Sequence, residues 1–450
     1  MTEHQYPLEP FFGKIISPFE RFLKQTTSGG IILMGMTIVT LIVATSPLGD
    51  YYRNYWELEV GINLGLKSLK MSAHAWVNDG LMSLFFLLVG LELKREILVG
   101  ELASIRNAIL PIAGAVGGMI FPALIYYSFN NSGPGMAGWG IPMATDIAFS
   151  VGILVLLAWR VPRNLIIFLT ALAIVDDLGA VLIIALFYTQ AINMELLGIA
   201  IVILGVLVLI NRGGVRSPYP YIVLGSFLWL ALLRSGIHAT LSGVLTAFTI
   251  PAIPTYTPEH FRKRIKELGR VLDKRSVEPE ERDTLEEITE MTIIAECVEK
   301  DSANVQSPQQ RMEHRLAPWV TFGIIPLFAM ANAGLDLGRI SLRETLIQPV
   351  TLGVILGLVP GKFLGITLFS WIAVKTGLAK LPGNTGWGHI MGAAWLGGIG
   401  FTMSLFIDQL AFTRQFELFE QTRIGILAAS LISAITGLAW LYVNSLKKRR

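Results

Sequence analysis

Asp176 and Asp177 are adjacent, and they sit at the middle of a long apolar window, 164–189, that carries no other charge. A second apolar window, 136–159, holds a single charge, Asp146, near its centre, and a third, 350–374, holds Lys362 at its centre. An aspartate at the middle of a membrane costs about 2.5 to 3.5 kcal/mol even on a lenient insertion scale, so such a pair needs a partner, water or a cation. Central side chains are too far from water to snorkel out one by one, so three carboxylates and an ammonium at one depth define a site. Neighbouring positions on a helix point about 100° apart, so Asp176 and Asp177 take separate roles. The simplest division pairs one with Lys362 and leaves the other, with Asp146, to hold a cation. Sodium and lithium want oxygen ligands, and Thr145 adds a hydroxyl and a backbone carbonyl beside Asp146.

The elements that carry these residues look interrupted. Gly135, Gly138, Gly140 and Pro142 precede Asp146, and Gly397, Gly398 and Gly400 fall inside the apolar run 389–412. Both runs are expected to be broken helices, which expose carbonyls and half-helix ends and are tolerated in a membrane only where they line a cavity or are buried in protein. Each break is flanked by apolar helices, so 108–189 and 350–443 form two three-helix units, an arrangement typical of secondary transporters.

The whole chain agrees with a membrane setting. Of 450 residues 53% are hydrophobic and only 15% charged, against roughly 25% charged in a soluble domain. Apolar runs near 28–46, 73–91, 108–129, 136–159, 164–189, 194–211, 219–233, 236–251, 318–334, 350–374, 389–412 and 423–443 predict an all-α protein with about twelve spans. The runs 219–233 and 236–251 are short and read as a tight helical pair. A soluble enzyme, a disulfide scaffold and a nucleic-acid partner are set aside. The net charge of +3 reflects loop anchoring, and Cys297 alone can form neither an internal disulfide nor a cysteine metal site.

Lys94, Arg95, Arg106, Arg160, Arg163, Arg212 and Arg216 fall in loops after even-numbered spans, as does the cluster at Arg262, Lys263, Arg264 and Lys266. The positive-inside rule then places both termini in the cytoplasm. Residues 1–27 lack a signal-peptide cleavage pattern, and Phe11, Phe12, Ile15, Ile16, Phe19, Phe22 and Leu23 suggest an interfacial amphipathic helix lying on lipid. Spans one to eight occupy 28–251 and the remainder 318–443, ahead of a basic tail, 444–450. Between them lies a charged insertion, 252–317. Its stretch 255–316 carries 14 of the 33 acids and 11 of the 36 bases, and is expected to be a helical appendage or a disordered arm. On the opposite side, Trp56, Leu58, Val60, Ile62 and Leu64 alternate with polar or small residues, a hairpin signal that makes 50–70 a candidate homodimer contact.

Several runs carry a resemblance. FFLLVGLELKREILVGEL (85–102), IPMATDIAFSVGIL (141–154), ALAIVDDLGAVLIIALFYT (171–189), SGIHATLSGV (235–244), PLFAMANAG (326–334), GKFLGITLF (361–369) and GIGFTMSLFI (398–407) resemble the NhaA family of sodium/proton antiporters. The likeness covers nearly the whole chain outside the first 27 residues and 255–307. It implies an electrogenic, pH-regulated exporter of sodium or lithium in the bacterial inner membrane, driven by inward protons, with no cofactor. It also implies two inverted three-helix repeats whose broken helices cross at mid-membrane. Asp177 would be the main sodium or proton carboxylate, and Asp176 the partner of Lys362 or a second proton carrier. Asp146 would offset positive helix ends and Lys362 negative ones. The family's pH-sensing cluster falls on Glu92, Arg95, Glu96, Glu313 and His314. The chain departs from the pattern at Ala317, where relatives can carry histidine, and in the length of the adjoining loop.

His238 is a further pH-responsive candidate, although a lone histidine near a helix start is more often a hydrogen-bonded packing residue. Asp79 and Glu195 lie near membrane edges and Asp408 near a span end beside Arg414, where solvation is expected to outweigh an ion role. The same carboxylates would also suit two other functions. An intramembrane aspartyl protease would set Asp146 opposite Asp176 or Asp177 to share a proton. A sodium-coupled solute transporter would need polar or aromatic specificity groups beside the ion site.

Overall fold

The computed structural model describes residues 28–64, 67–189, 192–275, 284–336, 338, 341–412 and 415–447. The interfacial helix expected within 1–27 and the end of the basic tail lie outside them. The described chain is almost wholly helical, and each apolar run contains helix. Among the described residues seven helices are long and apolar enough to cross a membrane, and one bent pair brings the number to eight.

The first span is α1 (Ser28–Thr45), followed by a short amphipathic helix α2 (Gly49–Glu57) and an antiparallel hairpin of β1 (Glu59–Leu64) and β2 (Lys67–Ser72). The register pairs Glu59 with Ser72 and Leu64 with Lys67. Trp56 belongs to α2 and not to the strand its alternation suggested. It is buried, packing edge-on against Tyr52 and Tyr55, because the helix lets it fold back onto the bundle.

Next come α3 (Met82–Leu98), entered through a wide π turn at Trp76–Leu81, and α4 (Ile105–Phe129). A 3-10 helix, Pro134–Met143, leads to α5 (Ile147–Leu156), and α6 (Arg163–Phe187) follows. Beside this core stand α7 (Met194–Arg212), α8 (Tyr219–Ser235) and the short α9 (Leu241–Thr249). Along α7 only Ala200 and Leu207 are buried, whereas Ile201, Val202 and Leu209 stand open. An apolar helix exposed in this way is stable only against lipid.

The insertion forms α10 (Pro258–Arg275) and α11 (Thr284–Val305), joined by an ion pair between Arg264 Nε and Asp301 Oδ2 at 3.3 Å. It returns through α12 (Pro308–Trp319), started by a Ser307–Gln310 capping box, to a π turn at Val320–Ile324 and α13 (Ile325–Asn332). The last unit comprises α14 (Pro349–Leu356), a π turn at Gly357–Gly361, α15 (Lys362–Lys375), the bent pair α16 (Trp387–Gly397) and α17 (Phe401–Ala411), and finally α18 (Phe416–Lys447).

Two contacts position the site. Helices α4 and α15 touch backbone to backbone at Gly117 and Gly365, where a Cβ on either would strike the other's carbonyl oxygen. Small residues at this crossing hold Lys362, one turn earlier on α15, against α4. Second, Gly398 sits in the α16–α17 break with no room for a Cβ beside the Leu358 carbonyl and Ser433. The bundle thus has a basic end, with Arg95, Arg106, Arg160, Arg163 and the insertion, and a hairpin end carrying α2 and the two strands.

Candidate ion-exchange site

The site is built where two helix breaks cross. In the first break the chain leaves the 3-10 helix at Met143 and is extended at Ala144 and Asp146 before α5 begins. Two tyrosines satisfy carbonyls of the segment before it: Tyr126 donates to the Gly135 carbonyl at 2.7 Å, and Tyr188 to that of Ala137 at 2.7 Å. In the second break α16 and α17 meet at 42°. The breaks are stitched together, with Asp146 N donating to Ile399 O at 2.7 Å, Thr145 Oγ1 to Gly397 O at 2.8 Å and Ser404 Oγ to Ile141 O at 2.8 Å. Each break therefore supplies the partners that the other's freed backbone groups need.

Asp146 caps two helices at once. Its Oδ1 accepts from Phe149 N at 2.9 Å in the first turn of α5, and its Oδ2 accepts from Thr402 N at 3.0 Å, and from the Thr402 hydroxyl, in the first turn of α17. A carboxylate between two helix N-termini is placed where both dipoles favour it. Thr402 is a partner that sequence reasoning did not name, although it stands in the run GIGFTMSLFI. Only the fold brings it to Asp146.

Lys362 is fully buried, and its Nζ donates to Thr145 Oγ1 at 2.8 Å and to Asp176 Oδ2. Because Thr145 in turn donates to Gly397 O, the ammonium reaches the carbonyl end of α16 through that hydroxyl. The Thr145 hydroxyl is therefore already engaged in two hydrogen bonds in this conformation. Asp176 takes the lysine, and Asp177 does not.

Asp177 points elsewhere. It is 1% exposed, and neither carboxylate oxygen has a hydrogen-bond partner. It lines a cavity of about 240 Å³ together with Asp146, Thr402, Thr321 and Glu92. Among the described residues no three His, Cys, Asp or Glu side chains converge as a resident metal centre. The cavity continues toward the basic end, where Arg95 bridges Glu96 at 3.2 Å and Glu313 at 3.4 Å, and where Glu92 lies within electrostatic reach of all three. Burial raises the Glu313 carboxyl above its ordinary range, against the opposing pull of Arg95 and His314. His314 itself is exposed. His238 lies apart, at the hairpin end, with its ring Nε2 2.8 Å from Tyr188 O.

Asp408 corrects an expectation. It is fully buried, facing Arg423 of α18, because that helix packs across the outer turn of α17 and shields it from water. Arg414, which suggested solvation, lies outside the described residues. A buried polar cluster also went unforeseen: Asn332 donates to Asn78 at 2.8 Å, and His74 lies 3.1 Å from Asn332. No pattern in the separate segments points to it.

The family model described as Na+/H+ antiporter 1 matches residues 20–441. The chain belongs to the NhaA family of Na+/H+ antiporters. It is 57% identical over 447 residues to the Na(+)/H(+) antiporter NhaA of Syntrophobacter fumaroxidans, covering 99% of this chain and 94% of the relative. The NhaA of Acidithiobacillus ferrooxidans is 52% identical over 434 residues, covering 96% of this chain and 99% of that protein. NhaA 1 of Saccharophagus degradans is 47% identical, with 98% and 95% covered. It is thus an integral membrane protein of an antiporter family, and exchange, not bond cleavage, is the activity its relatives are named for.

Proposed function

We propose that the chain exports sodium or lithium across the bacterial inner membrane in exchange for protons, by alternating access to Asp177, with both termini in the cytoplasm. The observation that carries this reading is Asp177 itself, a buried carboxylate with two unpartnered oxygens on the wall of a cavity that also reaches Glu92. A buried carboxylate without donors is held by a proton or a cation and not by both, and that competition is the essence of antiport. Asp146 and Lys362 hold the crossing together by neutralising opposite helix ends, so one break can shift against the other while each stays capped. Asp176, released from Lys362, supplies a second proton site. A cycle that moves more protons inward than sodium ions outward carries net charge, which makes exchange electrogenic. The charge cluster at Arg95, Glu96 and Glu313, at the cavity's entry, sets the pH response.

The protease alternative needs two carboxyl groups sharing a proton. Instead Asp176 is tied to Lys362 and Asp146 to two helix ends. A solute carrier needs specificity groups beside the ion, whereas Phe85, Leu88, Val89 and Met403 form much of the cavity wall.

The decisive variant is Asp177→Asn, which keeps the shape and removes the charge. Acid-quench fluorescence in inverted vesicles, with sodium, lithium or potassium added across a range of pH, should show proton movement in the wild type and none in the variant, while the variant still inserts. Normal sodium-driven proton movement in Asp177→Asn would falsify the assignment.

A further inference from the structure

Asp408 is fully buried, and the exchange site makes no use of it. It stands on α17, whose first turn gives Thr402 to Asp146, and the helical rise places it roughly 9 Å beyond Thr402, on the hairpin side and away from the cavity at Asp177. Its Oδ2 is 3.9 Å from Arg423 Nε, an ion contact too long for a hydrogen bond. Neither oxygen of Asp408, nor Arg423 Nε, has a hydrogen-bond partner of normal geometry. Of the neighbouring hydroxyls, Thr422 divides its one proton between Asp408 and Leu418 O, 2.6 Å away, and Tyr126 and Tyr188 donate to Gly135 O and Ala137 O. A pair built for stability would be bidentate and saturated, since burying two ions is otherwise costly.

Arg423 also lines a second cavity, of about 260 Å³, at the hairpin end, with Tyr52, His74, Asp336 and Glu420 on its wall. Its guanidinium lies 3.7 Å over the Phe419 ring, and its Nη1 is 3.5 Å from Gly334 O. The arginine therefore stands between an acid-bearing vestibule and an incompletely satisfied carboxylate, and α17 joins that carboxylate to the crossing. Glu420 gives the guanidinium another carboxylate to turn toward.

We propose that Asp408 is a second cation station on the hairpin side of the transport path, held by the Arg423 guanidinium in this conformation and taken over by sodium or lithium when that side opens. The proposal rests on the exchange reading above. A hard cation entering from the vestibule meets carboxylate oxygens before it reaches Asp177, so Asp408 governs affinity at one face only.

The test measures the sodium dependence of exchange separately at the two faces, in vesicles of both orientations. Asp408→Asn with Arg423→Gln removes both charges together and so leaves no uncompensated buried ion. With the hairpin face outward, half-saturating sodium should rise about tenfold, while with the basic face outward it should stay within about twofold of wild type. Equal shifts at both faces, or none at either, in a double variant of normal melting temperature would overturn the station. If that variant does not assemble, Arg423→Lys serves, because a strongly hydrated ammonium holds a buried ion contact less well than a guanidinium does. It should lower half-saturating sodium at the hairpin face, and no change there would count against the proposal. Absence of wild-type exchange in either orientation would instead remove the exchange reading itself.

Discussion

Asp176 and Asp177 are neighbours in sequence, yet the helical turn of about 100° between them sends one to Lys362 and the other to an open cavity. Lys362 is consequently a buried structural counter-ion to Asp176. Lys362→Ala should leave the Asp176 carboxylate uncompensated, at a cost of up to about 3 to 5 kcal/mol for a buried pair, and lower the melting temperature in detergent. Adding Asp176→Asn should recover most of that loss without restoring exchange. An unchanged melting temperature in the single variant would mean that Lys362 is hydrated. Glu313 permits a pH prediction of definite sign. Its carboxyl is raised in the folded protein above the ordinary 4.5, chiefly by burial. The protonated form therefore contributes stability that is fully present below that ordinary value and lost as pH rises through the folded one. Glu313→Gln, which cannot ionise, should gain in melting temperature relative to wild type across that rise. A difference that shrinks as pH increases would show that Arg95 outweighs burial.

At the scale of elements, the breaks at 144–146 and 398–400 and the π turn before Lys362 do the positioning. Glycine and proline spacing pointed to both breaks. The π turn at Gly357–Gly361 was not foreseen, though Pro360 within it supplies a local cause, since proline cannot donate to the helical ladder. The insertion helices α10 and α11 pair with each other through Arg264 and Asp301 and contribute no residue to the wall of the cavity at Asp177. Replacing 262–301 with a short Gly/Ser linker should therefore leave exchange intact. Acids outnumber bases in the segment, so its removal makes the local potential at Glu313 less negative and lowers the pKa of groups titrating there. The pH of half-maximal activation should move down, and more at low than at high salt, because charges about 8 to 10 Å apart are only partly screened. Loss of transport, or an upward shift independent of salt, would contradict a purely electrostatic role.

For the whole molecule, the hairpin extends a pair of strands beyond the helical body, with Val60, Leu58 and Tyr55 exposed near its base. We expect these strands to join two copies, and replacing 59–72 with a Gly/Ser turn should shift the solubilised protein from dimer to monomer in sedimentation while exchange persists. An unaltered mass would remove the hairpin as the contact. The sequence by itself determined the membrane setting, the helical content, the interrupted spans and the charged residues at their centres, because each of these is a local property of composition and spacing. The tertiary structure alone decided which aspartate meets Lys362, that Thr402 joins Asp146 in capping two helices, and that Asp408 is sealed against Arg423. Those outcomes depend on how helices far apart in the chain approach and rotate, and a helix carries its side chains all round with no local signal of which face a distant partner will cover.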